Sequence, residues 1–97
     1  MKNKKSKIIF NNLRRYRKVR GLTQKQVAEI LELNSTAMIS RWETGLCLPD
    51  TMNLIRLTVV YRSSLDGLFM EFAKEIRKDL IQKEEKIFKN ATDASGK

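Results

Sequence analysis

Residues 23–45 constrain the fold most, because they hold the start and stop signals of two short helices separated by a few polar residues. Thr23 and Gln26 have capping-box spacing, in which the threonine hydroxyl accepts from the Gln26 backbone N–H and the glutamine side chain accepts from the Thr23 N–H. Gly45 has the position of a residue that ends a helix in the left-handed conformation. We therefore predict a helix, a turn and a second helix.

The two predicted helices are amphipathic, with apolar residues on one side at helical spacing: Val27, Ala28 and Leu31 in the first helix, Ile39 and Trp42 in the second. Between them, Ser35 or Thr36 is expected to cap the second helix, since these side chains favour helix starts over helix interiors. The apolar sides are therefore expected to pack together, leaving the polar side of the second helix exposed.

Several stretches together resemble the phage-repressor and Cro-like (XRE) helix-turn-helix family: LRRYRKVRG, GLTQKQVAEILEL, ISRWETG with Pro49 shortly after, DTMNLIRLTVVY and SSLDGLF. The resemblance covers residues 9–69. It implies an all-α, five-helix repressor-like domain that binds double-stranded DNA, with the last helix extended toward the C-terminus. The chain departs from the family at Glu32, where a turn glycine is usual, and it has one extra residue between Leu33 and Ile39.

A helix in the major groove needs short polar or cationic side chains that reach base edges. The second helix offers four candidate base-reading residues, namely Thr36, Ala37, Ser40 and Arg41. Candidate phosphate contacts are Thr23, Gln24 and Lys25 at the start of the first helix and Thr44 at the end of the second. The resemblance also implies a partly buried ion pair between Arg17 and Glu43.

Positive charge is concentrated at the start of the chain. The net charge is +9, and residues 1–20 include nine Lys or Arg and no acid. Such a surface attracts polyanions. Residues 1–8 are predicted to be a basic arm, which is either a phosphate-seeking extension or a solvated tail.

Composition argues against several other classes of protein. The chain has no His and a single cysteine, Cys47, so an internal disulfide and a Cys/His zinc site are not expected. The chain also lacks a glycine-rich phosphate loop and an evident pair of carboxylates. Without these and without His, the usual routes of acid–base, nucleophilic or metal catalysis lack their parts, so we expect no enzyme, no metal and no cofactor. No apolar run suggests a signal peptide or a membrane span, which favours a cytoplasmic protein without a membrane partner.

Residues 70–89 contain no Pro or Gly and predict a long amphipathic helix. Six of its apolar residues make up the stripe, namely Phe72, Ala73, Ile76, Leu80, Ile87 and Phe88. This helix either folds back on its own domain or pairs with a second subunit, and dimerisation is favoured because a domain this small gains from added burial. Residues 90–97 are predicted to be a disordered tail.

The sequence therefore predicts a dimeric repressor that binds a specific double-stranded DNA sequence. An alternative is an antitoxin-like module that neutralises a protein partner through the C-terminal helix and uses the helix-turn-helix for autoregulation. A further alternative is generic polyanion binding, which would lack sequence preference and weaken steeply with salt.

Overall fold

The computed structural model describes residues 8–95, so the predicted arm lies outside the described residues except for Ile8. Six helices follow one another along the described chain: α1 (Leu13–Val19), α2 (Gln24–Ile30), α3 (Ala37–Glu43), α4 (Thr51–Tyr61), α5 (Leu65–Leu68) and α6 (Met70–Ser95). No strand occurs among residues 8–95. The predicted all-α fold is confirmed.

The segment before α1 is not helical, although Ile9 lies at helical spacing from Leu13 and Tyr16 in the sequence. The Ile9 backbone N–H instead donates to the Gly45 carbonyl at 2.9 Å. The Asn11 side-chain oxygen accepts from the Leu13 N–H at 3.0 Å and so caps the first turn of α1. These bonds begin the helix at Leu13 and hold the segment against the end of α3.

Helices α1 to α4 end in the same way, with a left-handed residue one or two positions after the last helical residue. These residues are Gly21 (φ 71°), Glu32 (φ 60°), Gly45 (φ 81°) and Arg62 (φ 55°). In each case the next N–H bonds a carbonyl five residues back, as Leu33 does to Ala28 at 2.8 Å. This is the Schellman arrangement. Glu32 therefore adopts the conformation for which the family uses glycine.

The core lies where α1 to α5 meet. Its fully buried side chains are Leu13, Val27, Ile39, Leu57 and Leu68, and Trp42 is 3% exposed. Ala28 is also buried, and its small side chain lets α3 pack closely against α2. The helix-turn-helix thus rests on a continuous apolar base.

The C-terminal region differs from the prediction in two respects. The fifth helix ends at Leu68, because Phe69 leaves the helical region (φ −127°, ψ 39°), so the long helix is a separate element. Helix α6 then continues to Ser95, which corrects the predicted disordered tail over residues 90–95. The residues of this extension include no Pro or Gly, and each added residue gains a backbone hydrogen bond.

Candidate nucleic-acid interface

The start of α2 shows the predicted capping box. The Gln26 N–H donates to the Thr23 hydroxyl oxygen at 3.0 Å, and the Thr23 N–H donates to the Gln26 side-chain oxygen at 2.9 Å. The hydroxyl proton of Thr23 remains free to donate. Lys25 is exposed one residue into the helix, and Gln24 is half-buried.

The connection from α2 to α3 passes through the left-handed Glu32 and then through polar residues. Ser35 accepts from the Ala37 N–H at 3.2 Å. Thr36 occupies the cap position, but its side chain makes no capping bond. Of the two predicted cap residues, the serine therefore makes the hydrogen bond. The extra residue of the turn is absorbed before the first residue of α3.

Helix α3 presents two different sides. Ile39 and Trp42 are buried against the core, whereas Ala37, Ser40 and Arg41 are exposed. Thr36 is half-buried at the edge of the exposed side. The structure therefore brings three of the four predicted base-reading residues onto one open face and leaves the fourth at its margin.

Thr44 lies at the C-terminal end of α3 and is exposed. Its hydroxyl donates within the helix, to the Ser40 carbonyl at 2.9 Å or the Arg41 carbonyl at 3.2 Å. A hydroxyl that donates to a phosphate must give up this bond. Thr44 is therefore the least suited of the four predicted phosphate contacts.

A network of charge-assisted bonds fixes the end of α3 to α1 and α2. Arg17 donates through Nε to Glu43 Oε2 at 2.5 Å and through Nη2 to Glu43 Oε1 at 3.2 Å. Its third nitrogen donates to the Leu22 carbonyl at 2.9 Å. Gln24 Nε2 also donates to Glu43 Oε1, at 3.0 Å. The paired Arg17 and Glu43 side chains are 10% and 5% exposed, so the pair is largely withdrawn from water.

This network also changes the pKa values of Arg17 and of the nearby Tyr61. The hydrogen bond that Arg17 donates to Glu43 raises the pKa of Arg17 above its ordinary value, against the opposing effect of burial. Burial raises the pKa of Tyr61, and the charge of Glu43 adds to the shift. Arg17 therefore stays charged at every physiological pH, and the Arg17–Glu43 pair holds α3 in place throughout.

An open polar cleft of about 380 Å³ lies beside this network. It is lined by Arg14, Arg17, Gln24, Ser40, Glu43 and Thr44. Arg14 is exposed, and the sequence analysis did not include it among the site residues. Its spacing of three from Arg17 was the available signal, since residues three apart lie on neighbouring parts of one helix face.

Asn11 is a second residue that the sequence analysis missed. Its side-chain nitrogen donates to the Ile9 carbonyl at 2.8 Å and to the Trp42 carbonyl at 3.0 Å. The residue therefore links the N-terminal segment to the end of α3. No sequence pattern indicates this contact, because its partner lies thirty-one residues away in the chain.

Among residues 8–95, His, Cys, Asp and Glu nowhere gather in a group that could hold a metal ion. Within the same residues, no helix combines the length and the apolar composition that crossing a membrane requires.

Comparison with protein families identifies this arrangement. A family model described as Helix-turn-helix (HTH_3) matches residues 13–68, which is more than half of the 97-residue chain. The match begins at the first residue of α1 and ends at the last residue of α5. Comparisons with curated proteins and with solved structures give no match.

Proposed function

Because the chain belongs to the XRE helix-turn-helix family of DNA-binding regulators, we propose that it represses transcription by binding a specific double-stranded DNA sequence as a dimer. In this proposal α3 lies in the major groove, and the two copies of α3 are about 34 Å, one DNA turn, apart. Repression then needs only occupancy of a promoter. We propose that the protein acts in the cytoplasm.

The observation that supports this function best is the contrast between the two sides of α3. Its inner side is held by buried Ile39 and Trp42 and by the Arg17–Glu43 pair. Its outer side exposes short side chains and one guanidinium. A rigid helix with such a face can present side chains to base edges without ordering them at the moment of binding.

Each base-reading residue has a distinct role in this proposal. Arg41 donates two hydrogen bonds to the O6 and N7 acceptors of guanine. Ser40 donates or accepts at a neighbouring base, and Ala37 contacts a thymine methyl group. Thr36 contacts the edge of the site, since it is half-buried.

Phosphate contacts position α3 over its site. Lys25 supplies an exposed cation, Thr23 supplies its free hydroxyl proton, and Gln24 supplies the amide hydrogen that Glu43 does not use. Arg14 adds a second exposed cation from α1. Thr44 contributes least, because its hydroxyl proton is bonded within α3.

Selection of bound duplexes from a random DNA pool at physiological salt tests this function, since non-specific binding is weak there. We expect an inverted repeat, with a half-site spacing that reports the distance between the two copies of α3. Binding of a folded protein without any enriched sequence would contradict the proposal and leave generic polyanion binding.

Two variants separate base reading from phosphate binding. We expect Arg41→Ala to relax the preference at one base pair of each half-site, by about 1–3 kcal/mol of discrimination. The matched control, Lys25→Ala, removes another exposed cation and should weaken binding to all sequences equally, with a shallower salt dependence. An Arg41→Ala variant that behaves like the control would assign Arg41 to a phosphate.

The antitoxin-like alternative is favoured by one observation, the exposed apolar side chains of α6, such as Ile87 at 65% and Phe88 at 67%. In that alternative they fill a groove of a protein partner. Purification from the source cell distinguishes the two functions. A stoichiometric protein partner supports the antitoxin-like function, and a homodimer free of other proteins supports the repressor.

A further inference from the structure

Helix α6 leaves most of its apolar surface uncovered within the chain. Its 26 residues correspond to about 39 Å of helix. Ile76, Leu80 and Ile87 are 44%, 52% and 65% exposed although they recur along one side. An exposed apolar line of this kind marks a surface that another molecule covers.

Two charged residues, Lys83 and Glu84, interrupt this line between Leu80 and Ile87. Charges that enter a helix–helix seam decide which partner and which orientation fit, because like charges repel and opposite charges attract across it. Over residues 70–91, acids and cations are nearly balanced. The partner is therefore expected to carry both signs, as a second copy of α6 does.

Parallel pairing of two α6 helices puts like charges together. Each residue then lies beside its own copy, so the two Lys83 side chains meet in the seam. In a parallel pair the flanking residues also face partner residues five positions further on. Asp79 thus faces the partner's Glu84, and this repulsion occurs twice.

Antiparallel pairing replaces these contacts between like charges with contacts between opposite charges. Arg77 and Glu84 are seven residues apart and lie on one flank of the seam, while Asp79 and Lys86, also seven apart, lie on the other. In an antiparallel two-fold pair each flank faces the same flank of its partner. With the axis near Gln82, opposite charges then face each other on both flanks.

We propose that two copies of this chain associate through α6 in antiparallel orientation, about a two-fold axis near Gln82. Ile76 then packs against the partner's Ile87, and Leu80 lies over the aliphatic stem of the partner's Lys83. Arg77, which donates to the exposed Asp66 at 2.8 Å within its own chain, also pairs with the partner's Glu84. Asp79, which pairs with Lys83 at 3.0 Å within its own chain, also pairs with the partner's Lys86. Symmetry repeats each contact.

The same orientation covers an apolar groove at the start of α6. This groove, about 450 Å³, is lined by Leu48, Leu54, Leu65, Asp66, Phe69, Phe72, Ala73 and Ile76. The partner's Ile87 lies beside Ile76 in the antiparallel pair. Parallel pairing sends this residue to the far end of the helix and leaves the groove open, so groove and charges favour one arrangement.

In the antiparallel pair Met70, where α6 begins, lies twelve residues from the proposed axis, so the two copies of Met70 are about 36 Å apart. The inference deepens the dimer part of the proposed function.

Sedimentation equilibrium without DNA, at low salt where exposed charge pairs are least screened, tests the pairing. We expect the unmodified chain to be a dimer and Glu84→Lys to raise its dissociation constant about tenfold or more, since two pairs become repulsive. Arg77→Glu is expected to weaken the dimer similarly. A mixture of the two variants restores it as a heterodimer, in which both Arg77–Glu84 contacts are again between opposite charges.

Glu85→Lys is the matched control, because it makes the same charge change on the side of α6 away from the seam and is expected to leave the dimer intact. Helical circular dichroism verifies that each variant is folded. A monomeric unmodified chain, a tighter Glu84→Lys dimer, or a mixture without heterodimer would each overturn the proposal. Since no DNA is present, these results are separate from the outcome of the duplex selection.

Discussion

The α1–α5 domain and α6 use the same kinds of residue with different consequences. In the domain, Arg17 and Glu43 pair at 2.5 Å with side chains only 10% and 5% exposed. Between α5 and α6, Arg77 and Asp66 pair at 2.8 Å with side chains 55% and 63% exposed. Distance alone hardly separates the two ion pairs.

Burial separates them. A pair withdrawn from water leaves an unpaired charge behind when one partner is removed, whereas an exposed pair returns both partners to solvent. The apolar residues follow the same rule, since Leu57 is 1% exposed in the domain and Leu80 is 52% exposed on α6. The domain is therefore stabilised within the chain, whereas α6 leaves its apolar side chains exposed.

The largest contrast is expected between two leucine truncations. Leu57→Ala should lower the free energy of unfolding by about 3 kcal/mol, through lost burial and the cavity it leaves. Leu80→Ala should change it by less than about 0.5 kcal/mol when measured on the monomer. Denaturant unfolding at concentrations below the dimer dissociation constant measures both. Equal effects would show that α6 packs on the domain.

A similar contrast is expected for the two ion pairs. Glu43→Ala should destabilise the chain by about 3 kcal/mol, because it strands the buried Arg17. Asp66→Asn, which breaks the exposed pair, should change stability by no more than about 0.5 kcal/mol. Thermal and urea unfolding of both variants provide the measurement. A small loss for Glu43→Ala would mean that water reaches Arg17 readily.

The tyrosine signal in an alkaline titration reports on the α1–α5 domain, since both tyrosines lie outside α6. The pKa of Tyr61 is raised above 10.0, so the folded chain holds the phenolic proton more tightly than the unfolded chain. The associated stability is fully present below about pH 10 and is lost as pH rises above it. We therefore compare the free energies of unfolding of Tyr61→Phe and of the unmodified chain. The variant's value minus that of the unmodified chain should be about 1 kcal/mol larger at pH 11 than at pH 7. A difference independent of pH would contradict this.

The smallest effect is expected at the turn of the helix-turn-helix. Glu32→Gly should stabilise the chain by roughly 0.5–1 kcal/mol, because glycine adopts the left-handed conformation without the steric penalty. Glu29→Gly, three residues earlier on the exposed side of α2, should destabilise by about 1 kcal/mol. The diagnostic result is that Glu→Gly stabilises the chain at residue 32 and destabilises it at residue 29. Two destabilising variants would mean that the Glu32 side chain is itself needed.

Much of the domain could be predicted because its signals are local. The capping box at Thr23 and Gln26 needs residues three apart, and the apolar sides of α2 and α3 follow from helical spacing. The expected contact between Arg17 and Glu43 came from the family resemblance, and the two side chains lie within hydrogen-bonding distance. The exposure of Ala37, Ser40 and Arg41 could be predicted because the opposite side of α3 is apolar and was therefore expected to be buried.

The errors share a physical cause. Ile9 matches the helical spacing of α1, yet a bond to Gly45, distant in the sequence, keeps it out of the helix. The break falls at Phe69, two residues after Gly67, which is itself helical, and Phe69 is buried in the core at 5% exposure. Arg14 and Asn11 gain their positions from contacts between elements. Such contacts depend on which residues meet after folding, and local patterns do not contain that information.

By itself, the sequence determined the all-α class, the family and the polar face of α3, because caps, helical periodicity and charge act over a few residues. Only the tertiary structure decided which charges are buried, where α1 begins and how α6 separates from α5. These features depend on long-range packing, which removes some side chains from water and leaves others exposed. The type of a residue determines which interactions its side chain can make, and the fold determines whether that side chain is buried or stays in contact with water.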